Sequence, residues 1–227
     1  FYWSYSTEVS KDKNLTENKS IWVVADCTGH GVPGALMSML GISYLNEIVI
    51  ENKITDSAQV LNKLREKIIT AFGKTTATQP HRDGMDISIC VWNKKTNLLE
   101  FSGANNGIWI IKNSPLSTGE GPGVRLIELK PDKMPVGMHD NDSISFTTKT
   151  HQLEKGDIII SFSDGYADQF GGEKGKKFKY KNLQNLLLEN AHLEFSNFDQ
   201  HLSKSFDAWK GNFEQLDDVC ITGIKIV

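Results

Sequence analysis

The feature that most constrains this chain is an apolar run at residues 21–25, followed at once by an aspartate and a glycine-rich turn. The run Ile-Trp-Val-Val-Ala is partly β-branched and predicts a strand covered on both faces, which Asp26 follows as the strand leaves the core. The turn Asp-Cys-Thr-Gly-His-Gly, residues 26–31, then leads to Pro33 at the start of an apolar-striped helix. A carboxylate beside a core has to be capped or have a functional use.

The residues alone leave two interpretations of this turn open. In the first, Asp26 or Thr28 only caps the helix that begins near Pro33, and Gly29 and Gly31 supply tight-turn geometry. In the second, the carboxylate of Asp26 is a ligand or catalytic group.

Composition limits the class of protein. With 227 residues, of which 39% are hydrophobic, the chain can bury one substantial core, and we expect a single domain over 1–227. The formal charge of −3 gives no broad basic face, so nucleic acid is not favoured as a partner. Three cysteines without CxxC spacing predict reduced thiols and a cytoplasmic location.

The sequence also bears on membranes. No apolar run approaches the roughly 18 to 20 residues of a membrane span, and no signal peptide begins the chain. We therefore expect no membrane contact by this domain, while an anchor elsewhere in the full-length protein stays open.

Hydrophobic periodicity predicts two pairs of helices among many short strands. The helices are expected at 33–51, 57–72, 181–191 and 197–209. The strands are expected at 1–9, 21–25, 85–92, 98–102, 108–111, 124–129, 143–148, 157–162 and 219–227, with polar loops at 11–19, 73–83 and 113–123. The pair Asn106-Gly107 predicts a hairpin between the strands on either side of it. Helix pairs among mainly antiparallel strands indicate an α+β fold rather than alternating βαβ units.

Two later segments also place aspartate at the end of a predicted strand. Asp164 follows the apolar run 158–163, and Asp217 and Asp218 come directly before the last strand. Aspartate is depleted in strands and costly beside a core, so a convergent set is best stabilised by shared cations. Hard divalent ions such as Mg²⁺ or Mn²⁺ prefer such oxygen ligands. Each aspartate alone also fits a solvated turn, and the convergence stays open at this point.

The sequence lacks the residue patterns of three well-known kinds of phosphate-binding site. A cysteine-dependent phosphatase needs arginine six positions after its cysteine, where this chain has Pro33, Thr96 and Ile226. The Arg-His-Gly of histidine phosphatases is absent from the sequence, and no Gly-Lys-Ser/Thr follows Gly31. A nucleotide-binding module is therefore a minor alternative.

Six motifs occur in a characteristic order along nearly the whole chain: VVADCTGHGVPGALMSMLG, DGMDISICVW, FSGANNGIWII, KMPVGMH, SFSDGYADQFGG and LDDVCITGIKI. In this combination the chain resembles the PPM-type metal-dependent serine/threonine protein phosphatases, specifically their bacterial sporulation stage II E branch. The resemblance implies a four-layer α-β-β-α sandwich, with two mainly antiparallel sheets flanked by helix pairs. It also implies the output domain of a bacterial signalling protein.

The resemblance implies a site as well. Asp26 looks like the carboxylate that bridges two ions, Mn²⁺ or Mg²⁺, and the backbone carbonyl of Cys27 like a further ligand. Asp164 and Asp217 match the family's other metal-binding aspartates, and Asp218 is the alternative if the register of the pair differs. The implied catalytic set is Asp26, Asp164 and Asp217, with two metals activating water for direct in-line attack on phosphoserine or phosphothreonine.

The resemblance further implies a phosphorylated regulatory protein as substrate, of the anti-sigma-factor antagonist type used in partner switching. In related enzymes the two helices that here span 33–51 and 57–72 act as a switch, and a homodimer stays open. The family usually carries Gly-Asp immediately before the triplet that here is Phe1-Tyr2-Trp3, and we expect truncation rather than natural loss of that aspartate. The alternative function is a catalytically impaired interaction module with the same fold.

Several polar residues near these motifs are expected to be structural. His30 stands outside the catalytic set because its spacing differs from that of the family's proposed histidine. Asp83 and Asp86 are expected to be a turn aspartate and a strand-start cap. The lysines in 174–181 are expected to be solvated.

Overall fold

The computed structural model describes residues 1–7, 18–29, 31–72, 83–115, 122–139 and 143–227. Its strands are β1 Tyr2–Ser6, β2 Lys19–Cys27, β3 Gly84–Asn93, β4 Leu98–Ala104, β5 Ile108–Pro115, β6 Pro122–Leu129, β7 Val136–Gly137, β8 Lys149–Gln152, β9 Ile158–Phe162, β10 Phe170–Gly171, β11 Lys176–Lys177 and β12 Ile221–Lys225. Its helices are α1 Val32–Leu45, which continues as a π-helical segment Asn46–Glu51, α2 Ser57–Phe72, α3 Gly165–Asp168, α4 Tyr180–Asn190 and α5 Phe198–Lys210, the last preceded by the 3₁₀ turn Phe195–Asn197. The predicted α+β class and the four long helices are confirmed.

The chain forms two compact units that are interleaved in sequence. Unit 1 comprises Phe1–Gly107 and Leu129–Leu153, and unit 2 comprises Ile108–Glu128 and Glu154–Val227. The single domain over 1–227 and the four-layer arrangement stay predictions.

Unit 1 is built on an antiparallel sheet with the strand order β1-β2-β3-β4-β8, in which β7 also pairs with β3. The apolar run of β2 lies inside this sheet, and its five residues 21–25 are all buried, as predicted. Helix α2 contributes Leu61, Leu64 and Ile68, spaced three or four residues apart, to the same core. The sheet therefore holds the end of β2, where Asp26 lies, in a rigid setting.

Unit 2 is built on a second sheet with the order β12-β9-β5-β6. Strand β9 is buried along its whole length because its neighbours pair on both sides and helices α4 and α5 supply apolar side chains. A two-stranded sheet, β10 with β11, completes the unit. This sheet fixes the positions of the segments that carry Asp164 and Asp217.

The hairpin predicted at Asn106-Gly107 is wrong. Strand β4 pairs with β3 and β8, whereas β5 pairs with β9 and β6, so the connection passes from one sheet to the other. Asn105 does take a left-handed conformation, with φ 53°, but its N–H donates to the carbonyl of Asp132. A Cβ on Gly107 would lie 2.9 Å from the carbonyl oxygen of Leu129. This glycine thus allows a close approach of another segment rather than a hairpin turn.

The strand predicted at 143–148 is also wrong, and β8 begins only at Lys149. In this segment the backbone groups bond to side chains instead of a neighbouring strand. The guanidinium of Arg65 donates to the carbonyl of Ile144 at 2.6 Å, and the N–H of Phe146 donates to Asn62 at 3.0 Å. Asp132 accepts from the N–H of Thr147 at 2.8 Å.

The predicted loops are described only in part. Strand β5 extends to Pro115 and β6 begins at Pro122, so both ends of the loop expected at 113–123 are strand, and residues 116–121 lie outside the described residues. Most of the loops expected at 11–19 and 73–83 lies outside the described residues.

Among the described residues, one helical stretch, Val32–Glu51, is long and apolar enough to cross a membrane, contrary to the expectation that no run approaches that length. This is weak grounds for a span, because a core helix of a soluble protein passes the same test. Met37, Leu45 and Ile48 of this stretch are buried in the core of unit 1.

Candidate functional site

Asp26 is the penultimate residue of β2 and stands opposite Asp86 of β3 in the antiparallel ladder. Asp86 lies inside β3 and is therefore not the strand-start cap that was expected. Asp86 is exposed as a residue, but desolvation of its carboxyl by the surrounding protein raises the pKa of this group, and a 2.9 Å hydrogen bond donated by Asn105 opposes this effect. Unit 1 thus places two carboxylates side by side at one end of its central strands.

Cys27 ends β2 and is half-buried. Its sulfur accepts a hydrogen bond from the hydroxyl of Ser38 in α1 at 3.4 Å. Burial raises the pKa of the Cys27 thiol above its ordinary value. The side chain is therefore a protonated thiol near neutral pH and a poor nucleophile.

The turn after β2 depends on its glycines rather than on a capping side chain. Gly31 occupies the N-cap of α1, and that end of the helix has no side-chain capping hydrogen bond, so the capping interpretation of Asp26 and Thr28 is wrong. Gly29 has φ +90°, and a Cβ on Gly34 would lie 2.6 Å from the carbonyl oxygen of Gly29. His30 lies outside the described residues.

Asp164 occupies the N-cap position of α3, two residues beyond the end of β9. Its side chain is exposed and makes no capping hydrogen bond to this short helix. The turn between β9 and α3 thus positions Asp164, and its carboxylate is not used to cap the helix.

Asp217 and Asp218 are exposed in the segment before β12. The carboxylate of Asp217 accepts a hydrogen bond from the N–H of Asp218 at 2.8 Å, and its backbone carbonyl accepts one from Gln215 at 2.9 Å. One carboxylate oxygen of Asp217 and one of Asp164 lie within 4.8 Å of each other. Unit 2 therefore brings together two of the predicted ligands, and Asp217 rather than Asp218 offers the oxygen.

Ser163 joins the two segments that carry these aspartates. Its hydroxyl donates to the carbonyl of Asp218 at 2.9 Å and accepts from the N–H of Cys220 at 3.0 Å. Gly165 allows the close approach, because a Cβ there would overlap the carbonyl oxygen of Asp218. Sequence reasoning missed this role of Ser163 and Gly165; the only signal was a small polar residue and a glycine flanking Asp164.

The donor set of unit 2 suits a hard divalent cation. Two exposed carboxylates this close repel each other unless a cation lies between them, and oxygen-only donors are those that Mg²⁺ and Mn²⁺ prefer. Asp26 belongs to unit 1, and its joint role with this pair stays a prediction, as does the carbonyl of Cys27 as a ligand.

The predicted solvated lysines in 174–181 are exposed. Lys177 forms an ion pair with Asp168 at 2.6 Å, and this hydrogen bond raises the pKa of the lysine. Because the pair is solvent-exposed, it contributes little to stability.

Comparisons with known proteins were made on sequence and on structure. The family model for Stage II sporulation protein E (SpoIIE) matches residues 16–227. A search of curated proteins finds no match.

Three solved structures illustrate the likeness of fold. The SiaA-PP2C domain of Pseudomonas aeruginosa is 21% identical and superposes with a TM-score of 0.80, with 100% of this chain and 80% of that chain covered. The PP2C phosphatase domain of SpoIIE from Bacillus subtilis, solved with a fragment of its regulatory domain, is 15% identical with a TM-score of 0.67, and 99% of this chain and 57% of that chain are covered. A structure of RsbX in complex with magnesium is 14% identical with a TM-score of 0.58, covering 98% of this chain and 92% of that chain.

Proposed function

Because the chain belongs to the Stage II sporulation protein E family of PP2C-type serine/threonine phosphatases, we propose that it hydrolyses phosphoserine or phosphothreonine in a regulatory protein, using two divalent metal ions. The observation that carries this proposal is the pair Asp164 and Asp217, whose oxygens lie within 4.8 Å of each other. The structure of RsbX in complex with magnesium, which shares the fold, supports a divalent ion as the cofactor.

The residues that would hold the ions are Asp26, the backbone carbonyl of Cys27, Asp164 and Asp217, with Asp218 as the alternative to its neighbour. Asp26 is proposed as the bridging ligand and stands at the end of a fully buried strand run. When bound, the two metals would lower the pKa of a shared water, orient the phosphoryl group and stabilise its charge during in-line displacement.

The protein's part in this reaction is to hold acidic side chains in place while leaving them accessible. The carboxylates of Asp164 and Asp217 are exposed, and the hydrogen bonds of Ser163 and Gln215 fix the backbone that carries them. Such preorganisation avoids a reorganisation cost when the ligands engage metal and substrate.

The state of Cys27 argues against a covalent cysteine mechanism. Burial raises the pKa of this thiol, and position 33 holds proline where such an enzyme needs a phosphate-binding arginine. Cys27 is therefore proposed to act through its carbonyl only.

We further propose that the substrate is a phosphorylated signalling protein in the cytoplasm, of the anti-sigma-factor antagonist type. The family match supports this choice, since the matched SpoIIE structure is that of a cell fate determinant that has a regulatory domain. That SpoIIE chain is longer than the part matched here and includes a fragment of its regulatory domain. Control of the phosphatase domain by a signal is therefore worth testing in this protein.

The experiment is a phosphatase assay on the chain extended upstream of Phe1, with Mn²⁺ and a phosphoserine peptide. Hydrolysis that is lost in Asp164→Asn and Asp217→Asn, but kept in the exposed control Glu173→Gln, would support the enzyme. Metal binding without hydrolysis of any phosphoserine or phosphothreonine substrate would instead support the interaction module.

A further inference from the structure

Unit 2 contains an open cavity of about 710 Å³ between helix α5 and the face of strands β9 and β12. This volume lies within the range of about 300–1,000 Å³ typical of ligand-binding clefts. Its apolar wall includes residues of these three elements and of the segment before β12: Ile160, Leu202, Phe206, Val219 and Ile221. The cavity is separate from the carboxylates of Asp164 and Asp217, which do not line it.

A glycine at the centre of β12 lines the cavity. Gly223 pairs with Ile160 of β9, which also lines it. A Cβ on Gly223 would lie 3.1 Å from the ring of Phe195, so the glycine makes room for this aromatic lining residue.

The exposed edge of the cavity formed by α5 carries acidic side chains. Asp199, Ser203 and Asp207 line it at a spacing of four residues, so they lie on one face of the helix. Asp199 and Asp207 are exposed and, at 1.5 Å per residue, about 12 Å apart along the axis. The described lining residues include no lysine or arginine, and the lysines of α5, Lys204 and Lys210, are not among them.

We propose that this cavity is a docking site for a short extended segment of a partner protein, with apolar side chains between two basic residues. The apolar side chains enter the cavity, and the two cations pair with Asp199 and Asp207. In an extended chain, residues four apart are separated by about 13 Å, which matches the spacing of the two carboxylates. The acidic edge thus favours basic residues at the two ends of the peptide, and the apolar wall favours apolar residues between them.

The cavity is connected to the proposed catalytic segments. Tyr166, two residues beyond Asp164, lines it and donates a hydrogen bond to the carbonyl of Leu202 in α5 at 2.9 Å. Gln215 also lines it and donates to the carbonyl of Asp217. A docked segment therefore touches residues that hold both aspartate-bearing loops, and occupancy is expected to alter phosphatase activity. Only this effect on activity rests on the proposed function.

The test measures binding directly, by fluorescence anisotropy of a labelled, amidated peptide Lys-Leu-Phe-Leu-Lys added to the whole chain. The matched control peptide is Glu-Leu-Phe-Leu-Glu. The variants are Ser203→Trp, which fills the cavity from an exposed helix position, and the double variant Asp199→Asn with Asp207→Asn. The control protein carries Glu173→Gln and Glu189→Gln, two exposed acidic positions that do not line the cavity.

The expected result is saturable binding of the basic peptide that weakens with added salt and is abolished by Ser203→Trp. The double Asp variant should bind about five- to tenfold more weakly, the sum of two exposed ion pairs, and the control protein should bind normally. Equal binding of the acidic peptide, full binding to Ser203→Trp, or no saturable binding would overturn the proposal. Because anisotropy needs no catalysis, an inactive phosphatase would not affect this result.

Discussion

The hydroxyl of Ser163 donates a 2.9 Å hydrogen bond to the backbone carbonyl of Asp218, across 55 residues of sequence. Ser163 is buried directly after β9, and the same hydroxyl accepts a hydrogen bond from the N–H of Cys220. One side chain thus joins the segment that carries Asp164 to the segment that carries Asp217.

Ser163→Ala should loosen both segments. It removes two partly buried hydrogen bonds, to the carbonyl of Asp218 and from the N–H of Cys220, which together contribute about 1–3 kcal/mol of unfolding free energy. Urea unfolding measures this loss, and the phosphatase assay should show reduced activity. The control Ser4→Ala changes an exposed residue of β1 and should leave both unchanged. If the two variants are equally stable, the hydroxyl is not the link between the segments.

Gly165→Ala tests the close approach of these segments. Helix propensity alone would favour alanine at this first position of α3 by up to about 1 kcal/mol. The added Cβ, however, would overlap the backbone oxygen of Asp218, and overpacking of this kind costs about 1–3 kcal/mol. We expect net destabilisation and a loss of activity.

The matched control is Gly156→Ala, where φ is +96° and a Cβ would meet nothing within 4 Å. It suffers backbone strain without overlap and should retain activity. A Gly165→Ala protein that is both stable and active would contradict the described packing.

Cys27→Ser separates two phosphatase mechanisms. Because only the carbonyl of residue 27 is proposed as a ligand, the variant should keep most of its metal-dependent activity. The raised pKa of the thiol also predicts slow alkylation of Cys27 by iodoacetamide at pH 7, measured by mass spectrometry. Complete loss of activity in a folded Cys27→Ser protein would instead point to a thiolate nucleophile.

Asp157→Asn removes one partner of a buried ion pair. The Nζ of Lys112 lies 2.8 Å from the Asp157 carboxylate, and these side chains are only 5% and 1% exposed. The same Nζ also lies 3.1 Å from the largely exposed carboxylate of Glu154, which remains in the variant. Loss of the buried partner should therefore lower the unfolding free energy by about 3 kcal/mol, the low end of the range for a broken buried pair. The control Glu66→Gln, in an exposed pair with Lys63, should cause no measurable change in urea unfolding.

The same ion pair predicts a pH dependence. Burial lowers the pKa of Lys112, but hydrogen bonds to Asp157 and Glu154 outweigh it, so the folded pKa is raised above 10.5. The resulting stabilisation is complete below pH 10.5 and is lost as the pH rises through the folded pKa. Asp157→Asn should reduce this alkaline loss when unfolding is followed from pH 7 to pH 11.

Local pattern was enough to predict much of the fold. The strand at 21–25 and helix α2 follow from hydrophobic runs whose burial the structure confirms, since apolar periodicity is a property of the segment itself. The strand predicted at 143–148 failed because side chains distant in sequence take the backbone hydrogen bonds that a strand would need. Arg65 and Asn62 of α2 take the hydrogen bonds of residues 144–146, and no feature within that segment indicates it.

The candidate site shows the same division. The sequence indicated Asp164 and Asp217 because each follows or precedes a strand, and unit 2 does bring their oxygens together. The roles of Ser163 and Gly165 depend on the approach of two segments more than 50 residues apart in the chain. Such contacts have no local signature, so they required the structure.

The interleaving of the two units has a consequence for inheritance. Unit 1 is completed by residues from Leu129–Leu153, and unit 2 begins already at Ile108. No single cut in the gene can therefore separate the two units and leave both whole. Any one continuous coding segment that contains all of unit 1 or all of unit 2 also contains part of the other unit. Recombination should transmit the two units together or damage at least one of them.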